Sequence, residues 1–81
     1  MLLDPAQALI ESKKLNTLAS QCQGIINEMN LMIEELSVFW EGTSAEMFTY
    51  NNQQIIDSIK SIKSEMLQIS KEIETLANIP V

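Results

Sequence analysis

The stretch Phe39-Trp40-Glu41-Gly42-Thr43-Ser44-Ala45-Glu46-Met47-Phe48 decides the fold, because an otherwise continuous helical pattern stops inside it. Gly42 can take a left-handed backbone conformation and so end a helix. Thr43 with Glu46 has capping-box spacing for the start of another. Upstream of the break, apolar residues recur at alternating spacings of three and four, at Leu15, Leu18, Cys22, Ile25, Met29, Met32, Leu36 and Phe39. Downstream, a second stripe runs through Ala45, Phe48, Asn52, Ile55, Ile59, Ile62, Met66, Ile69, Ile73 and Leu76, with Asn52 its one polar member. Both stripes are heptads, so the abundance of isoleucine in the second does not make it a strand, whose period would be two.

The ends of the two segments carry their own signals. Asp4 reads as an N-cap, Pro5 as the first helical residue and Gln7 as the capping-box partner. Asn78 followed by Pro80 marks the stop. The expected chain is one domain: helix 1 over about residues 5–40, a turn over about 41–44, and helix 2 over about 45–78. Each helix of about 35 residues is roughly 50 Å long. A connection this short sets them antiparallel, giving an all-α helical hairpin.

A two-helix seam does not bury all the apolar surface. Ala19, Ile26, Ile33 and Trp40 lie seven apart beside the main stripe of helix 1, and Ile10, Leu31 and Val38 widen its other flank. Asn16, Ser20, Gln23, Asn27, Asn30 and Glu34 keep the far side wet. An apolar face wider than one partner helix covers predicts a dimer of hairpins, a four-helix bundle in which helix 1 supplies more of the interface. Gly24 has two readings, a point of close approach between backbones or a tolerated helix-weakening glycine.

Composition narrows the function. Five lysines, no arginine and eleven acids give a net charge of −6, which excludes the electrostatic footprint of a nucleic-acid binder. With no histidine and a single cysteine there is no zinc site and no Cys/His or Ser/His nucleophile, so no catalytic residue, metal or cofactor is assigned. No run reaches the length of a membrane span, and Met1-Leu2-Leu3-Asp4-Pro5 lacks the basic start and apolar core of a secretory leader. The acidic balance also opposes an amphipathic hairpin inserting into anionic lipid.

Individual residues carry a structural reading beside any functional one. Trp40 either caps the end of the bundle or lines an exposed cleft at the turn, and an indole can do both. Asn52 either fixes register from a buried position or is simply wet. Met29, Met32 and Met66 fall on the stripes and read as core, leaving Met47 outside them. Cys22 reads as a small buried hydrophobe. Glu34-Glu35 and Glu72 with Glu74 read as a solvated face.

The residues around the break resemble those of the WXG100 (ESAT-6-like) family, small proteins exported by type VII secretion systems of Gram-positive bacteria and mycobacteria. Trp40 and Gly42 match the W-x-G turn, Ser44 the small residue two positions on, and Phe48 the aromatic four beyond that. The resemblance implies a hairpin that pairs with itself or with a related WXG100 or LXG-type chain. It also implies recognition by a secretion ATPase, and passage from the cytoplasm to the exterior without a cleaved signal peptide. In the family a C-terminal Y-x-x-x-D/E motif of one chain works with the W-x-G turn of its partner. Here Tyr50 is the one tyrosine, it lies in helix 2, and Gln54 stands four residues after it. The departure implies that a partner chain supplies that element or that export relies on something else. On the residues alone, packing is assigned to Leu15, Leu18, Cys22, Ile25, Ile26, Met29, Met32, Ile33, Leu36 and Phe39 of helix 1. Helix 2 contributes Ile55, Ile59, Ile62, Met66, Ile69 and Ile73. The alternative function is a cytoplasmic coiled-coil adaptor in which W-x-G is merely a turn.

Overall fold

The computed structural model describes residues 4–79, and these form two α-helices, α1 (Pro5–Ser37) and α2 (Thr43–Ala77), packed against each other along their length. The hairpin is a rod 62 Å long and 15 Å across. Met1, Leu2, Leu3 and the stop assigned to Pro80 lie outside the described residues.

α1 starts as its sequence dictates. The Asp4 carboxylate accepts from the backbone N–H groups of Ala6 at 3.0 Å and Gln7 at 3.3 Å, and Pro5 opens the helix. Two of the orphan donors of the first turn are satisfied in this way. The reciprocal half of the capping box does not form, because the Gln7 amide donates instead to Glu11 one turn on, at 2.9 Å. Glu11 also receives the Lys14 ammonium at 3.0 Å, a bond that holds its carboxyl below the ordinary carboxylate range.

The turn differs from its expected bounds. α1 ends at Ser37 rather than near 40, and the non-helical residues are 38–42 rather than 41–44. The last turn tightens as Val38 N–H reaches the Glu35 carbonyl and Phe39 N–H the Leu36 carbonyl, which is three-residue spacing. Gly42, at φ 106° and ψ −175°, then reverses the chain. Because this glycine is itself the cap of α2, Thr43 is already helical, and the Thr43/Glu46 capping box is not made. Glu46 instead places a negative charge in the first turn of α2, where the helix dipole favours it.

The seam lies one flank away from the stripes of highest hydrophobicity. On α1 it runs through Ala8, Ser12, Leu15, Ala19, Cys22, Ile26, Met29, Ile33 and Leu36, all buried or half-buried. On α2 it runs through Ala45, Asn52, Ile56, Ile59, Lys63, Met66, Ser70, Ile73 and Ala77. Four members of each expected stripe are therefore corrected from seam to surface: Leu18, Ile25 and Met32 on α1 with Phe39 in the turn, and Ile55, Ile62, Ile69 and Leu76 on α2. The contrast between neighbours is sharp: Ile56 is 0% exposed where Ile55 is 51%, and Ile26 is 2% exposed where Ile25 is 48%.

The seam is small and partly polar. Ser12 and Ser70 are fully buried, with their hydroxyl oxygens 2.8 Å apart. Ser12 Oγ donates to Glu74 at 3.0 Å, and the Ser70 hydroxyl also lies 3.1 Å from the Ser12 carbonyl. Glu74, expected on a solvated face, is thereby drawn half into the seam. Further along, the Lys63 ammonium donates to the Gln23 side chain at 2.8 Å. Asn52 sits in the seam but donates to the Phe48 carbonyl of its own helix at 2.9 Å, so it makes no bond that could fix register between helices. Nothing lies within 4 Å of a Cβ built on Gly24, so the two helices do not approach closely there.

Candidate functional site

The elbow is built by three backbone features and one aromatic pair. Trp40 N–H donates to the Leu36 carbonyl at 2.9 Å, and Glu46 N–H donates to the Gly42 carbonyl at 3.0 Å, so the chain is tied down on both sides of Gly42. The combination of φ and ψ at Gly42 belongs to a region that side chains with a Cβ essentially do not enter. Trp40 and Phe48 pack ring against ring, centroids 5.3 Å apart and planes tilted by 49°, a favourable aromatic geometry. Of the four motif residues, then, the fold brings Trp40 and Phe48 together and uses Gly42 to do it. Ser44 is exposed in the first turn of α2.

Beside this pair lies an open cleft of about 410 Å³. Ile33, Leu36, Ala45 and the two aromatic rings give it an apolar floor, and Glu41 and Glu46 stand at it as carboxylates. Ser37 and Thr49 complete its polar lining. Phe39 and Val38 do not contribute; they are exposed on the outside of the turn.

A second candidate surface follows from the displaced stripes. Leu18, Ile25 and Met32 each immediately precede a seam position of α1, namely Ala19, Ile26 and Ile33. Ile55, Ile62, Ile69 and Leu76 likewise precede Ile56, Lys63, Ser70 and Ala77 of α2. A step back of one residue rotates a side chain by about 100° in the same sense on either helix. Reversing one helix to make the antiparallel pair brings both rotated rows to the same side of the rod. The result is one long exposed face of isoleucine, leucine and methionine.

The opposite flank is polar, carrying Asn16, Gln23, Asn30 and Ser37 from α1 with Glu46, Gln53, Lys60 and Glu74 from α2. The bonds from Gln23 to Lys63 and from Ser12 to Glu74 lie on this side. Leu9 and Leu67 are its exposed apolar exceptions.

The packing residues assigned from sequence thus divide. Leu15, Cys22, Ile26, Met29, Ile33, Leu36, Ile59, Met66 and Ile73 face the seam; the rest face outward. Sequence reasoning missed Ile56, the most buried isoleucine of α2, and the Ser12/Ser70/Glu74 group. The available signal was the flanking row Ala19, Ile26 and Ile33, whose register, carried onto α2, selects Ile56.

Met47, Tyr50 and Leu31 are further exposed apolar side chains outside both surfaces. Among the described residues, no helix is long and apolar enough to cross a membrane. No family model, no curated protein and no solved structure matches the chain.

Proposed function

We propose that this chain is a non-enzymatic export substrate of a type VII secretion system of the WXG100 kind. It works as a dimer of hairpins in a four-helix bundle, or as the small partner of a larger WXG100 or LXG-type effector. It is made in the cytoplasm and carried out by the secretion ATPase without a cleaved leader. The observation that carries the reading is the elbow: the W-x-G tripeptide stands at the one break between two long helices, Gly42 is in a glycine-only conformation, and Trp40 stacks on Phe48. The apolar face on one side of the rod supports the pairing, because a soluble chain this small gains by covering such a surface.

The test is export from the organism of origin. The protein is expected in the culture medium of the wild type and to be retained in cells lacking the secretion ATPase. Trp40→Ala is expected to keep its helical circular dichroism while its export falls severalfold. Protein that stays in the cytosol of both strains would replace this reading with that of an intracellular coiled-coil adaptor, which the same hairpin serves equally well.

A further inference from the structure

The acidic residues are not spread evenly along the rod. From residue 28 to residue 59 the chain carries Glu28, Glu34, Glu35, Glu41, Glu46 and Asp57 and no lysine. All five lysines, at 13, 14, 60, 63 and 71, lie in the half that holds the two chain ends, where Asp4, Glu11, Glu65, Glu72 and Glu74 balance them. The net charge of −6 therefore belongs to the half of the molecule that ends in the elbow.

That half also holds the cleft, whose apolar floor of Ile33, Leu36, Trp40 and Phe48 is overlooked by Glu41 and Glu46. Neither carboxylate has a cationic partner, since the one ion pair among the described residues joins Lys14 to Glu11 at the far end of the rod. Ser37 and Glu46 of its lining belong to the polar flank, while Phe48 of its floor continues the row of Ile55 and Ile62.

We propose that the elbow cleft is a docking site for a peptide segment of another protein that carries bulky apolar side chains flanked by lysine or arginine. The apolar side chain enters beside Trp40 and Phe48, and the cations face Glu41 and Glu46. The surrounding negative potential steers such a segment in and repels an acidic one, which gives specificity as well as speed. A cleft of this size accommodates one or two large side chains, so the apolar contact supplies affinity that charge alone would not. The inference does not depend on export and would hold for an intracellular adaptor.

The sole tryptophan reports on the site directly. The probe is the peptide acetyl-Lys-Leu-Phe-Lys-Leu-Lys-amide, titrated into the full chain at low salt while Trp40 fluorescence is followed. A saturable change is expected. The double variant Glu41→Gln, Glu46→Gln is expected to weaken binding by about fivefold or more, and Ala45→Gln, which fills the cleft without altering charge, by a similar factor. The control Glu65→Gln, Glu72→Gln removes as much charge from the other half and is expected to bind as the wild type does. Circular dichroism of each variant verifies the hairpin. Three results would each overturn the proposal: no saturable response, equal weakening in the control, or equal binding by a peptide with serine in place of its apolar residues.

Discussion

At the scale of single residues, the elbow depends on Gly42 more than on any side chain it joins. Its φ of 106° with ψ of −175° leaves no room for an L side chain on backbone grounds, although nothing occupies the space within 4 Å where a Cβ would go. The penalty is therefore torsional, on the order of 1–3 kcal/mol. Gly42→Ala is expected to lower hairpin stability by about that amount in urea denaturation, whereas Gly24→Ala, in open helix, is expected to raise it by up to about 1 kcal/mol. Opposite effects of the same substitution at the two glycines would separate backbone strain from packing.

The buried hydroxyls give a second residue-scale expectation. One Ser12 proton serves Glu74 and one Ser70 proton serves Ser12, so each hydroxyl is used and none is orphaned. Ser12→Ala removes the donor to a half-buried carboxylate and is expected to cost about 1–3 kcal/mol, while Ser37→Ala, which removes only an exposed bond to Glu34, is expected to stay within about 0.5 kcal/mol.

At the scale of the helix, each segment carries two adjacent apolar rows, and only one of them meets the other helix of the same chain. Ile56 and Ile55 are chemically identical neighbours that test this directly. Ile56→Ala leaves a cavity in the seam and is expected to cost about 2–5 kcal/mol at any protein concentration. Ile55→Ala is expected to cost under about 1 kcal/mol in dilute protein, and more as concentration rises if that row is covered by a second copy.

The two helices, their antiparallel arrangement, the Asp4 cap and the break at Gly42 were all legible from periodicity and from the positions of proline and glycine. Which row forms the seam was not. Ranking by hydrophobicity selects Leu18, Ile25, Ile62 and Ile69, whereas the fold pairs Ala8, Ser12, Ala19, Ser70 and Ala77, whose small side chains let the helices sit close. Apolarity measures how much a row gains by leaving water, and does not say whether the surface that covers it belongs to the same chain. The cleft was legible only as Trp40 and Phe48; the position of Glu46 at its edge depends on α2 starting at Thr43, directly after the Gly42 cap, where the sequence placed the cap at Thr43 itself.

At the scale of the whole molecule, the uneven charge dictates how two copies would lie against each other. Side by side with elbows together, the proposed pair would juxtapose two halves that each carry six acids between Glu28 and Asp57 and no lysine. End for end, each such half would lie along the half that holds all five lysines. The first arrangement sets two acidic halves against each other and is repulsive, whereas the second sets each acidic half against one whose charges balance and avoids that repulsion; the preference weakens as salt screens it beyond about 10 Å at 0.1 M.

Ile10 on α1 and Val38 in the turn are both exposed and lie at opposite ends of the rod, and so report the orientation. In a Cys22→Ser background, Val38→Cys and Ile10→Cys proteins mixed and oxidised at low salt are expected to cross-link to each other and not to themselves. Self-linked Val38→Cys dimers would establish the elbow-to-elbow arrangement, and would mean that the apolar contact overrides the charge pattern. A mixture that yields no cross-link while sedimentation shows single hairpins at micromolar concentration would remove the pairing itself, and leave the long apolar face to a different chain.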